Sequence, residues 1–187
     1  MKHIIPILIL VLFSASCGND SKKTEGSAGS DNQVHEKELS IDSEDLKELL
    51  SKKTPFTEAE IKEAFPKSIN GFPLDGTVKV TNQQGLGVYG NDEITLKIYD
   101  CAGSKSGMAS LFNTVYNIKT QDDDETQYLN KERNGIKTKS TYRTDANRSD
   151  IIFLYHNRWY VVISGKSMNP DELWKAFDIN DLKNFKK

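Results

Sequence analysis

From Thr77 to Ser164 the chain is built largely of short runs in which apolar and polar positions alternate, each run bounded by turn residues. Thr77 to Thr81, "TVKVT", alternates. Glu93 to Asp100 does so too, and its period of two predicts Ile94, Leu96 and Ile98 facing a core while Thr95, Lys97 and Tyr99 point away. Gly87 to Tyr89 precedes that run across Gly90-Asn91-Asp92, which predicts a tight hairpin. Thr126 to Glu132 and Ile136 to Arg143 meet at Asn134-Gly135, the strongest short-range hairpin signal. Asp150 to Tyr155 and Trp159 to Ser164 flank His156-Asn157-Arg158, and their "IIFL" and "WYVVI" are apolar enough to predict central strands.

Elsewhere the period lengthens to that of a helix. Ile41 to Leu50 places Leu46, Leu49 and Leu50 on one face, with acids in the first turn. Thr57 and Glu60 form a capping box, Ile61, Ala64 and Phe65 follow on the apolar side, and Pro66 stops the helix. Ser68 to Gly76, "SINGFPLDG", reads as turn chemistry throughout. Met108, Leu111, Phe112 and Val115 predict an apolar face on a helix over Gly107 to Ile118. Asn169-Pro170-Asp171-Glu172 is a helix start with a cap, Pro in the first turn and acids after it. Trp174, Phe177, Leu182 and Phe185 line one or two short helices from there to the C-terminus.

Two helices, three strands, a helix, four strands and a last helix predict an α+β domain. Its form is an antiparallel sheet of six to seven strands with helices packed on it, an α/β sandwich. The pieces "FPKSINGF" and "GVYGNDEITLKIYDCAG", the helix after them and the terminal "WYVVISG" plus helix resemble, in element order, the α/β sandwich of PsbP-like proteins and related bacterial envelope lipoproteins. The resemblance implies a fold and carries no activity.

The N-terminus is of another kind. Met1, Lys2 and His3 lead into ten residues of "IIPILILVLF", too few to cross a bilayer, which takes about 20. Ser14, Ala15 and Ser16 are small, and Cys17 follows. A basic start, an apolar stretch of this length and small residues make a secretory signal. The run ending in Cys17 resembles the bacterial lipobox in a relaxed form familiar from Bacteroidota, with Ser14 where leucine is commonest. It implies cleavage before Cys17 and acylation of its thiol. Ordinary signal cleavage is the competing reading, since Ser14 and Ser16 also satisfy a small-x-small rule. Gly18 in place of aspartate implies transfer to an outer membrane. Gly18 to Ser40, rich in Gly, Ser and charges of both signs, is predicted to be a disordered tether reaching about 25 Å from the lipid. The expected organisation is a signal over 1–16, lipidated cysteine and tether over 17–40, and one domain over 41–187.

Cleavage removes one lysine and no acid, so 24 basic residues face 27 acidic ones. Near-neutral charge without a basic cluster argues against nucleic acid. Cys101 is the second of only two cysteines, so an acylated Cys17 leaves no internal disulfide and Cys101 reads as a small buried hydrophobe. Gly85, Gly87 and Gly90 spell G-x-G-x-x-G, but a turn and a β-period run follow where a dinucleotide site needs a helix, so they read as hairpin punctuation.

Asp100 to Gly107, "DCAGSKSG", feeds a Gly/Ser loop into a helix. Gly103, Ser104, Lys105 and Ser106 are the candidate anion-binding residues there, against the plainer reading of Ser104 or Ser106 as an N-cap. "DDDE" (Asp122 to Glu125) lacks the alternation and glycine of a calcium loop and reads as a solvated charge run. His156 and Cys101 cannot complete a zinc set, and His35 reads as a linker residue. Tyr89, Tyr99, Tyr128, Tyr142 and Tyr155 serve equally as a binding face or as sheet packing. No catalytic set and no cofactor are indicated. The expectation is a lipid-anchored envelope module that contacts a protein or small ligand. The alternative is an envelope hydrolase or transferase using Asp100, Cys101 or Lys105, which predicts a deep pocket at that loop with a perturbed Asp100 or Cys101.

Overall fold

Three two-residue turns, Asn70-Gly71, Asn82-Gln83 and Asn134-Gly135, and one three-residue turn, His156-Asn157-Arg158, each place two successive residues at positive φ. That is the turn geometry whose twist matches paired strands. The computed structural model that shows them describes residues 42–185, so the expectations for Cys17, the signal and the tether lie outside the described residues. The first turn joins β1 (Ser68–Ile69) to β2 (Phe72–Pro73), a two-stranded hairpin inside the segment expected to be turn alone. The others join β3 (Lys79–Thr81) to β4 (Gln84–Tyr89), β6 (Thr126–Arg133) to β7 (Ile136–Arg143), and β8 (Arg148–Tyr155) to β9 (Trp159–Lys166).

With β5 (Ile94–Asp100) these strands form one seven-stranded antiparallel sheet ordered β3-β4-β5-β9-β8-β7-β6. The domain is α+β, with helices against the sheet. β9 lies in the middle, as its apolar run predicts. One pairing breaks with sequence order: β5 turns to β9, and α3 (Ser106–Tyr116) carries the chain to the far edge, where β6 lies.

Both faces of the sheet carry helices. Ile94, Leu96, Ile98, Ile151, Phe153, Trp159, Val161 and Ile163 are buried in one core with Ile61 and Phe65 of α2 (Glu58–Ala64) and its C-cap, Leu173 of α4 (Pro170–Ala176), and Phe185. On the other face Leu46 and Leu50 of α1 (Ser43–Ser51) join Cys101, Ala109, Phe112 and Leu154. The capping boxes of Thr57/Glu60 and Asn169/Glu172 form as their spacing predicts. Thr57's amide and hydroxyl both donate to Glu60, which holds that carboxyl below its usual range.

Three details depart from the pattern reading. Leu111 is 59 % exposed and Leu49 is 49 % exposed. α3 instead buries Ser106, Ala109, Ser110 and Phe112, and these small residues let it lie close to α1 and the sheet. Gly85 and Gly87 are not punctuation. They are inward positions of β4, and a Cβ on Gly85 would stand 2.3 Å from Phe65 Cε2 and 2.8 Å from Ile61 Cγ2. The glycines open a seat for the end of α2. Finally, neither Ser104 nor Ser106 caps α3. A 3-10 turn over Gly103–Lys105 leads in, and Lys105 holds the N-cap position without a side-chain hydrogen bond.

Candidate functional site

The Asp100–Gly107 loop, the site of the alternative enzymatic expectation, is a structural junction. Asp100 ends β5 with its carboxylate buried, and four donors converge on it. Arg158 Nε and the amide of Ala102 donate to Oδ1 at 2.8 and 3.0 Å, while Arg158 Nη2 and the amide of Phe56 donate to Oδ2, both at 2.8 Å. The guanidinium also donates to Thr54 O at 3.0 Å and lies over the rings of Trp159 and Phe56, 4.7 and 5.1 Å from their centroids. One bidentate pair therefore ties together β5, the β8–β9 hairpin and the link between α1 and α2. Such a pair matches fork to fork and leaves few lone pairs for anything else.

Gln83 braces the same loop from the β3–β4 turn, donating through Nε2 to Asp100 O at 3.1 Å and Ala102 O at 2.9 Å. Its backbone sits at φ +62°, a position few side chains adopt without such anchoring. Cys101 packs among Leu46, Leu50, Ala109 and Phe112, and burial pushes its thiol up to about 12. A thiol so placed supplies no thiolate at neutral pH.

The amides of Lys105 and Ser106 donate to Ala102 O and Gly103 O, so two of the groups an anion would use are already bonded. The open space beside Ser106 is bordered by Glu44, Asp45 and Glu48 of α1, with only Lys47 opposing them. Carboxylates in that number work against an anion. Gly103, Ser104, Lys105 and Ser106 thus share one loop but not one pocket. His156 is at the β8–β9 turn as expected, at φ +51°, with its ring 4.1 Å from that of Tyr155.

A second region escaped the sequence reading. Where α3 ends, its last carbonyls are bound by side chains of the sheet edge. Asn130 Nδ2 donates to Tyr116 O and Ile118 O, and Lys139 Nζ donates to Val115 O and Ile118 O at 3.5 and 3.2 Å. Amide and ammonium donors at a helix C-terminus satisfy its orphan carbonyls and oppose its dipole. This anchoring leaves a cleft of ≈ 340 Å³ between the helix end and β6, lined by Tyr116, Asn117, Lys119, Thr120, Tyr128 and Asn130. Among the described residues, no hydrogen bond or ion pair engages the hydroxyls of Tyr116, Thr120 and Tyr128, the side-chain amide of Asn117 or the Lys119 ammonium. Lys137 Nζ lies 5.5 Å from the centre of the Tyr116 ring, so the cleft has a basic rim.

Beside it the acidic run has a definite role. Asp122 Oδ1 accepts from the amide of Tyr128, and Asp123 Oδ1 accepts from those of Glu125 and Thr126. The run folds back over the start of edge strand β6, as edge strands are commonly guarded. Among the described residues, no group of three or more His, Cys, Asp or Glu side chains is placed to hold a metal ion. No described helix is long and apolar enough to cross a membrane.

Set against protein-family models, curated proteins and solved structures, the chain matches none of them.

Proposed function

We propose that this chain is a membrane-tethered binding module of a bacterial envelope, held by lipid on Cys17 and meeting its partner or ligand at the cleft between α3 and β6. The observation that carries the reading is the contrast in how polar groups are used. Asp100, Cys101 and the amides of the Lys105–Ser106 turn are committed to the fold, whereas in the cleft only Asn130 is so engaged, and the hydroxyls of Tyr116, Thr120 and Tyr128 and the Lys119 ammonium have no hydrogen bond or ion pair among the described residues. A space of this size with a few convergent polar groups lies within the range of ligand sites. The alternative, a hydrolase or transferase at the Asp100–Gly107 loop, needs a free carboxylate or thiolate there, and no observation favours it.

The test has two parts. Cells fed an alkyne-tagged fatty acid should yield labelled protein in the outer-membrane fraction, and Cys17→Ala should lose both label and sedimentation. A photo-crosslinking residue at Thr120 should trap a partner in intact cells, and one at Lys79 on the opposite edge should not. Unlabelled wild-type protein ends the anchor reading, and equal trapping at both positions ends the choice of site.

A further inference from the structure

β6 is eight residues long and forms one edge of the sheet, whereas β3 at the other edge has three. Asp122 and Asp123 receive the amides of Tyr128 and Thr126, and Asp123 donates its own amide to Thr126 O. These residues therefore point their backbone groups away from β7, and by alternation Asn130 and Glu132 do the same. Among the described residues nothing bonds to Tyr128 O, to the amide or carbonyl of Asn130, or to the amide of Glu132. The first half of the edge is guarded and the second half is open. The side chains of Tyr128 and Asn130 line the cleft directly beside that open half.

A second copy of this chain fits the edge poorly. Antiparallel pairing of β6 with itself must set outward residues opposite one another, which leaves five registers centred on Tyr128 to Glu132. Those centred on Tyr128, Leu129 and Asn130 all use the Tyr128 amide, which Asp122 already holds. The other two oppose Lys131 to Lys131 and Glu132 to Glu132. Like charges directly across a ladder are destabilising.

We infer that the open half of β6, Tyr128 to Glu132, takes an extended segment of a partner protein as an added strand, with an acidic side chain of that segment seated in the cleft beside Lys119. This rests on the binding-module reading above. Main-chain hydrogen bonds supply the attachment and the cleft supplies the selectivity. Lys119 has no ion-pair partner among the described residues, Lys137 sits at the rim, and no carboxylate lines the cleft. Glu132, two residues beyond Asn130 on the same face, makes that end of the added strand favour a neutral or basic residue.

The probe is an end-blocked heptapeptide of alternating Thr and Val with one central Glu, titrated into the isotope-labelled mature chain in micelles and followed by amide NMR. The amides of Asn130 and Glu132 should shift and gain protection from hydrogen exchange. Changing the central Glu to Gln should weaken binding about fivefold, the size of one exposed charge pair. Lys119→Ala should weaken the Glu peptide equally, leave the Gln peptide unchanged, and be rescued by Lys119→Arg. N-methylation of alternate peptide amides should abolish binding without altering the protein at all. Equal binding of the N-methylated peptide, shifts centred elsewhere, or no shift at millimolar peptide would each overturn strand addition. If the peptide fails while Thr120 still crosslinks a partner in cells, strand addition alone falls. If both fail, the binding-module reading falls with it.

Discussion

At the Asp100 corner of the sheet, four donors converge on one buried carboxylate and a guanidinium lies against two aromatic rings. At the Tyr116 corner, the hydroxyls of Tyr116, Thr120 and Tyr128 and the Lys119 ammonium border a cleft and meet no hydrogen-bond or ion-pair partner among the described residues. Both corners join a strand to the single helix α3, one at its start and one at its end. The difference is burial. Away from water an unpaired charge is costly, so the Asp100 corner had to be closed by its own neighbours. Facing water, the Tyr116 groups lose little by waiting, and they remain available to a ligand.

The sharpest way to break the comparison is to leave Arg158 uncompensated. Asp100→Asn keeps the shape and removes the charge that the buried guanidinium needs, which should cost about 3–5 kcal/mol in urea unfolding. At the open corner, Thr120→Ala and Tyr128→Ala should each change stability by no more than about 0.5 kcal/mol, as surface substitutions do. A loss of several kcal/mol from Tyr128→Ala would show the cleft to be structural after all.

Gly85→Ala comes next. Its Cβ would intrude on Phe65 and Ile61, and overpacking of this kind costs about 1–3 kcal/mol. Phe65→Leu in the same chain should recover part of the loss, because it shortens the side chain that fills the glycine seat. A Gly85→Ala protein of native stability would mean that α2 is free to move off β4.

That glycine seat marks how far the sequence could be read. Turn pairs and period-two runs are local signals, so the hairpins, the capping boxes and the central place of β9 were legible. The role of Gly85 and Gly87 depends on a helix well before them in the chain, and no local signal reports it. In the same way Asp100 and Arg158 are 58 positions apart, and their union exists only because β5 pairs with β9. The cleft was illegible for a related reason. Its lining comes from the end of α3 and from a strand that reaches it only at the sheet edge. The nearest available clue was Lys137 and Lys139 alternating on the strand that pairs with Asn130's, with Lys139 directly opposite Asn130. Leu111 shows the converse error, in which apolar spacing points inward on paper while small residues do the packing.

Cys101 gives a gentler probe of the closed corner. With the folded thiol held up to about 12 against an ordinary 9.0, alkylating reagents at pH 8 should leave it untouched until the protein unfolds. Stability should fall as pH rises above 9, where the unfolded thiol ionises and the folded one does not. Rapid labelling of the native chain at pH 8 would mean that the loop opens on its own.

The smallest expected effect concerns a pair that stands between the two corners. Arg133 on β6 is buried with its side chain 3 % exposed, while its partner Asp171 on α4 is 63 % exposed. Arg133 Nη2 donates to Asp171 at 2.9 Å and Nη1 donates to Thr138 and Ser140, but among the described residues Nε has no partner. Lys131 reaches both Asp171 oxygens at 3.0 Å, and together Lys131 and Arg133 hold that carboxyl below its ordinary 3.8. A folded pKa below the unfolded one stabilises the protein above the unfolded value and ceases to do so as pH falls through the folded value. Wild-type stability should therefore decline below about pH 4, and Asp171→Asn should flatten that decline while costing little at pH 7 in high salt. Asp181 supplies the internal control, since burial and Asp178 raise its carboxyl and Asp181→Asn should shift the acid limb the opposite way. If Asp171→Asn left the acid limb unchanged, the hydroxyls of Thr138 and Ser140 would suffice to hold Arg133, and the exposed carboxylate would belong with the uncommitted groups of the open corner.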